Sequence, residues 1–149
     1  MLDEVTEDRL DLADYQQLIA ATENPAYNAL ICTDLGPEMG FHSVAQVGVD
    51  RDRPPLHNRG RILFGEDGSI DQLLAREEAG WRFEMHLLGD RRELAEIRDR
   101  LPAGTILVAV IHGDDRLVAL ESRQQPAVSE GDRLIVYRPA ATANPAQTA

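Results

Sequence analysis

Apolar positions along the chain change period several times, and each change marks an element. The mostly apolar run Gln17 to Ala21 (QLIAA) predicts a short buried strand. Thr22-Glu23-Asn24-Pro25 then reads as a helix start. Asn24 can cap the first free amides, and Pro25 stands where a missing N–H costs nothing. This helix is expected to carry Ala26, Ala29, Leu30 and Thr33 on one face, to weaken or kink at Gly36-Pro37, and to close at Gly40. Ser43 to Val49 (SVAQVGV) predicts a second strand. Strand, helix and strand in this order form a βαβ unit, which implies parallel pairing and a right-handed crossover.

Asp50 to Gly60 (DRDRPPLHNRG) is charged and holds two consecutive prolines, so it reads as an exposed linker. Beyond it, Arg61 to Phe64 predicts a short strand. Ser69 with Gln72 makes a capping box ahead of Ile70, Leu73 and Leu74, and Gly80 ends that helix. Trp81, Phe83, Met85 and Leu87 alternate with Arg82, Glu84 and His86, the pattern of a half-buried strand with His86 toward solvent. Asp90 with Glu93 opens a helix whose apolar face is Leu94, Ile97 and Leu101, and Pro102 stops it. Three strands follow, at 105–112, 116–121 and 133–138. The first is apolar throughout and so belongs mid-sheet, with Gly113-Asp114-Asp115 as a hairpin to the second. The fold class is therefore α/β, with an α+β carboxyl-terminal module of β-α-β-β-β order. The chain divides into residues 1–50, a linker at 51–60, a module at 61–138, and a low-complexity tail at 139–149 expected to be disordered. The acidic residues 1–14 are expected to fray.

Composition narrows the function. The 149 residues are 43% hydrophobic and 28% charged, as in soluble globular proteins. The longest apolar run, Ile106 to Ile111, is far short of the roughly 20 residues that cross a bilayer. Asp3, Glu4, Glu7 and Asp8 make the beginning acidic, unlike a secretory signal. The net charge of -11, with all fifteen basic residues arginine, opposes a nucleic-acid partner. The single cysteine, Cys32, fits a reducing cytosol, and reads as a small half-buried residue on a helix.

Catalytic sets are not legible. Ser69 and Ser129 read as a helix cap and a turn residue, and neither lies in a G-x-S-x-G elbow. His42, His57, His86 and His112 show no metal-ligand spacing with one another or with Cys32. Asp114-Asp115 is turn chemistry and Glu77-Glu78 a solvated helix face. The eleven glycines form neither G-x-G-x-x-G nor a Walker A loop. What remains is a polar cluster, Thr22, Glu23, Asn24 and Asn28, at the carboxyl end of a strand and the start of the next helix. Open α/β sheets bind ligands at that edge, although plain helix capping by Asn24 accounts for the same residues.

Residues 81–138 resemble TrkA-C, the carboxyl-terminal half of the cytoplasmic ligand-gating domains called RCK (regulator of potassium conductance). The matching residues are Leu101-Pro102-Ala103-Gly104, Ile106 to Ile111, Arg116-Leu117-Val118 and Gly131-Asp132-Arg133-Leu134-Ile135-Val136. The Gly-Asp pair is the most specific, because the glycine permits a corner while the aspartate can hold its backbone amides. Residues 17–49 resemble the last third of the amino-terminal TrkA-N Rossmann domain. Val44-Ala45-Gln46-Val47, Arg59 to Phe64 and Gly80-Trp81-Arg82 are similar to versions fused to bacterial sodium/proton antiporters. His112-Gly113-Asp114-Asp115 replaces the family's arginine after the apolar strand, and the first Rossmann strands with their glycine loop have no counterpart. The chain is thus either the tail of a longer transporter or a shortened relative.

The resemblance implies a non-enzymatic regulatory domain, cytoplasmic and held at the inner face of the membrane by its transporter. It implies a homodimer acting with a transmembrane transporter domain, most simply a sodium(potassium)/proton antiporter. It also implies an adenine nucleotide or cyclic dinucleotide effector near Thr22, Asn24 and Asn28. A potassium channel or uptake-system subunit is the alternative within the class. A small phosphohydrolase using Asp114 or Asp115 is the alternative outside it. The strand at 81–87 and helix at 92–101 are the candidate dimer surface.

Overall fold

The computed structural model describes residues 12–49, 60–65, 68–121 and 124–140. Most of the expected linker, most of the expected tail, most of the acidic beginning, and His57 lie outside these residues. The fold is mixed α/β: a three-stranded parallel sheet and a four-stranded antiparallel sheet.

After a 3-10 turn at Leu12–Asp14, the parallel sheet contains β1 (Leu18–Ala20), β2 (Val44–Val47) and β3 (Arg61–Leu63) in that order. Helix α1 (Pro25–Met39) connects β1 to β2, so the expected βαβ unit is present. Asn24 caps it, its side chain accepting from the Ala26 and Tyr27 amides at 3.0 and 3.2 Å. The helix is continuous through Gly36-Pro37 to Met39 and closes at Gly40 as expected, but its apolar face is corrected. Its buried residues are Asn28, Ala29, Cys32 and Gly36, while Leu30 and Thr33 are exposed. Gly36 is where the Phe41 ring folds in: a Cβ there would stand 2.3 Å from the ring. Cys32 is fully buried, deeper than the half-buried position expected.

The strand at Arg61 forms as predicted and pairs in parallel with β2, so the first sheet takes in a strand from beyond the expected linker.

Helix α2 (Ile70–Glu78) is capped by Ser69, whose hydroxyl accepts from the Gln72 amide at 3.3 Å. Then come β4 (Arg82–Leu87), α3 (Arg91–Arg100), β5 (Ile106–Ile111), β6 (Leu117–Ala119) and β7 (Arg133–Arg138). Their sheet runs β4-β7-β5-β6, all antiparallel, with the apolar β5 interior as its composition predicted. A bulge at Val108 shifts the β5–β7 register, and its carbonyl accepts instead from the Leu120 amide at 2.8 Å. Leu94, Ile97 and Leu101 of α3 and the segment after it pack on a core of Leu107, Val110, Leu120, Val128, Leu134 and Val136.

The sheets meet where Ala45, Leu63 and Ala119 bury one another beside Phe64. The Arg61 guanidinium donates to the Ala119 carbonyl, and Gln16 Oε1 accepts from the Leu117 amide at 2.9 Å. Phe64 turns the chain between them with φ of +62°, a region disfavoured for a side chain of this size. Its ring is held edge-on to Tyr137 at 5.7 Å and Phe83 at 6.3 Å.

Candidate functional site

Thr22, Asn24 and Asn28 come together at the carboxyl end of β1. Asn28 is 0% exposed. Its Oδ1 accepts from the Thr22 amide at 2.9 Å and the Thr22 hydroxyl at 2.6 Å. Its Nδ2 donates to the carbonyls of Thr22 and Val47, both at 2.9 Å. The side chain therefore ties the β1–α1 turn to the end of β2. Asn24 Oδ1 is held by the helix start. Thr22, Glu23 and Asn24 are exposed at the turn, so a ligand meeting this edge touches them rather than Asn28.

The Gly131-Asp132 corner is built as its residues suggest. Gly131 has φ of +86°, and Asp132 is 2% exposed. Asp132 Oδ2 accepts from the Ser129 amide at 2.8 Å and lies 2.9 Å from His112 Nδ1, while Oδ1 accepts from the Gly113 amide at 3.1 Å. One carboxylate thus locks the β7 corner to the β5–β6 hairpin. Burial pushes the Asp132 pKa up, but the Ser129 amide, the His112 ring and the Gly113 amide together leave it below the ordinary value. The His112–Asp132 link was not legible from local spacing. Its only sequence signal is a histidine at the end of the apolar strand, one strand away from a Gly-Asp corner. In the hairpin itself Asp115 has φ of +62°, its amide donates to the His112 carbonyl at 2.9 Å, and its carboxylate pairs with Arg133. Asp114 is solvated and 3.8 Å from Arg116. These carboxylates serve the turn.

Strand β4 departs from expectation in orientation. It alternates as predicted, but its apolar side is open: Phe83, Met85 and Leu87 are 58, 60 and 70% exposed. The polar side is the more covered one, so His86 is half-buried rather than solvent-facing. Glu84 pairs there with Arg138, whose guanidinium holds the Glu84 carboxyl below its ordinary pKa. The reason is placement. Helix α3 packs over Leu134 and Val136, the β7 neighbours of His86 and Glu84, whereas among the described residues the opposite face is met by Phe64, Trp81, Tyr137 and α2 toward one end. A cleft of about 370 Å³ lies at that end, between Leu73, Leu74 and Glu77 of α2 and the Trp81, Phe83 and Tyr137 rings. Arg76 sits 5.0 Å over the Trp81 ring. Two grooves of about 460 and 420 Å³ run along α3 beside β4, sharing His86, Ile97 and Arg100. Among the described residues no group of three or more His, Cys, Asp or Glu side chains could hold a metal ion, and no helix is long and apolar enough to cross a membrane.

No family model matches the chain, and no curated protein matches it. Among solved structures it is similar to one described as the crystal structure of the GsuK RCK domain, at 15% identity and a TM-score of 0.34. The match covers 94% of this chain and 37% of that one, so the chain spans little more than a third of that protein's length. At this TM-score the likeness adds nothing to the functional reading, which stands on the residues.

Proposed function

We propose that the chain is a non-catalytic regulatory module that pairs with a copy of itself and passes an effector or ion signal to a monovalent-cation transporter. The observation that carries this reading is the open apolar side of β4, Phe83, Met85 and Leu87, on a module whose buried polar groups hold its own turns. An apolar strip of this kind on an outer strand is a surface for assembly. The Gly131-Asp132 corner supports the TrkA-C likeness, since its carboxylate holds backbone amides as the resemblance implies. The sodium(potassium)/proton antiporter remains the transporter of choice, on the resemblance of residues 44–47, 59–64 and 80–82. The module then sits in the cytoplasm against the inner membrane face. Residues 51–60 stand between β2 and β3 of the parallel sheet, and the regulatory half follows β3.

An effector works by binding one arrangement of the pair better than another. The proposed effector, an adenine nucleotide or cyclic dinucleotide, meets the exposed Thr22-Asn24 turn, with Asn28 holding that turn in shape. The test is a thermal-shift survey of the full chain with adenine nucleotides, cyclic dinucleotides and divalent cations. A ligand at a hundred times its dissociation constant stabilises the folded state by about 2.7 kcal/mol. One of these ligands is expected to raise the melting temperature, and Thr22→Ala to reduce the rise. A survey that leaves the melting temperature unmoved sinks the effector claim.

A further inference from the structure

Strand β4 is one of the two outer strands of the antiparallel sheet, and among the described residues no strand pairs with its other edge. The Leu88 amide donates to the Asp132 carbonyl, and the Leu88 carbonyl accepts from the Gly131 amide, both at 2.8 Å. Leu88 therefore turns its backbone toward β7. Successive residues of an antiparallel strand turn theirs to opposite sides. The N–H and C=O groups of His86, Glu84 and Arg82 accordingly serve β7, and those of Phe83, Met85 and Leu87 point out of the sheet. Unsatisfied ladder groups and an exposed apolar strip thus coincide on three residues.

We infer that β4 of a second copy of this chain pairs with this edge, antiparallel, about a twofold axis at Met85. This rests on the self-pairing reading above and gives that pairing a register. Directly opposed residues of an antiparallel pair share a face, so an apolar position must meet an apolar one. Centring the axis on Glu84 would set Glu84 against its own copy, two like charges. Centring it on His86 would set His86 against its own copy and leave Phe83 beyond the opposing strand. Centring it on Met85 sets Phe83 opposite the second copy's Leu87 and Glu84 opposite its His86. Glu84 is already paired with Arg138, and in this register it also stands across from the second copy's His86 rather than from a like charge. His86 Nε2 is buried with no hydrogen-bond partner, 3.6 Å from the Glu84 carboxylate of its own strand. In this register Met85 faces Met85 in a hydrogen-bonded pair, and each such pair exchanges two backbone hydrogen bonds. The antiparallel sheet becomes continuous across both copies.

The test is disulfide trapping in the full chain, followed on non-reducing gels and by sedimentation. Cys32 is fully buried, so the unaltered chain is the control. At a hydrogen-bonded pair the Cα atoms lie about 5.5 Å apart, within disulfide reach. Met85→Cys is expected to convert the dimer to a covalent one under mild oxidation. Phe83→Cys is not, since four residue steps, roughly 13 Å, separate it from its own copy. Met85→Pro removes the outward N–H and leaves the β7 ladder whole, and is expected to weaken the dimer about tenfold or more. A dimer that Met85→Cys fails to trap, or that Met85→Pro leaves unweakened, overturns this register while self-pairing stands. A chain that sediments only as monomer overturns both.

Discussion

Asp132→Asn keeps the shape of a buried side chain and removes its charge. The carboxylate holds the Ser129 amide, the Gly113 amide and the His112 ring at 2.8, 3.1 and 2.9 Å. An amide has only one acceptor oxygen, so its NH2 must confront at least one of these donors. A hydrogen bond to a charged group contributes about 1.5–3 kcal/mol, and an orphaned buried donor costs about 1–3 kcal/mol. Allowing for overlap among three bonds to one group, the loss is about 3 kcal/mol for Asn and about 4 kcal/mol for Ala. Urea unfolding of the full chain at pH 7, followed by circular dichroism, measures it. The melting temperature should fall by roughly 10 °C. Asp114→Asn, at a solvated carboxylate beside Arg116, is the control and should change stability by less than about 0.5 kcal/mol. The pH dependence has a definite sign. Asp132 titrates lower in the fold than the value of about 3.9 it has unfolded, so its contribution is full above that value. It is lost as pH falls through the folded value. The stability gap between the parent chain and Asp132→Asn should therefore narrow on acidification below about pH 4. A loss no greater than that of Asp114→Asn, or a gap that does not narrow, refutes the claim that this carboxylate locks the corner.

Asn28→Ala should lower stability by about 3 kcal/mol, because it strands the Thr22 amide and the Thr22 and Val47 carbonyls. Asn24→Ala, which removes only a helix cap, should cost about 1 kcal/mol in the same unfolding titration. Gly60→Ala should be more damaging than Gly131→Ala. Both have positive φ, but a Cβ at Gly60 would stand 2.8 Å from the Val44 carbonyl while one at Gly131 meets open space. Paired melting curves decide this, and equal losses would contradict it. Burial pushes the Cys32 thiol up to about 11 from 9.0, leaving roughly a hundredfold less thiolate at pH 8. Its labelling by a thiol reagent should accordingly be slow in buffer and fast in urea.

Local chemistry was legible wherever its partners lie a few residues apart. The Asn24 and Ser69 caps, the Gly80 stop and the Gly131 turn with its Asp132–Ser129 bond each form as their spacing predicts, because one turn of chain holds every participant. The parallel βαβ unit and the interior place of β5 were also legible, since buried strands advertise themselves by unbroken apolar runs. Orientation was not. Alternation in 81–87 gives the period of β4 but not which side meets a helix. That depends on α3 packing over Leu134 and Val136, far along the chain. For α1 an apolar stripe was the wrong guide, because its buried face includes Asn28 and Gly36. One is buried for its hydrogen bonds and the other for the ring of Phe41. The candidate turn at Thr22 was found by its place at a strand end, whereas the His112–Asp132 link spans two strands and leaves no local trace.

The mass of the full chain in solution tests the central claim most directly, because self-pairing is what the open side of β4 and the regulatory reading share. Light scattering on a size-exclusion column, across a wide concentration range, is expected to find a species of twice the 16.5 kDa chain mass. A chain that stays at 16.5 kDa at the highest concentration reached would contradict the account.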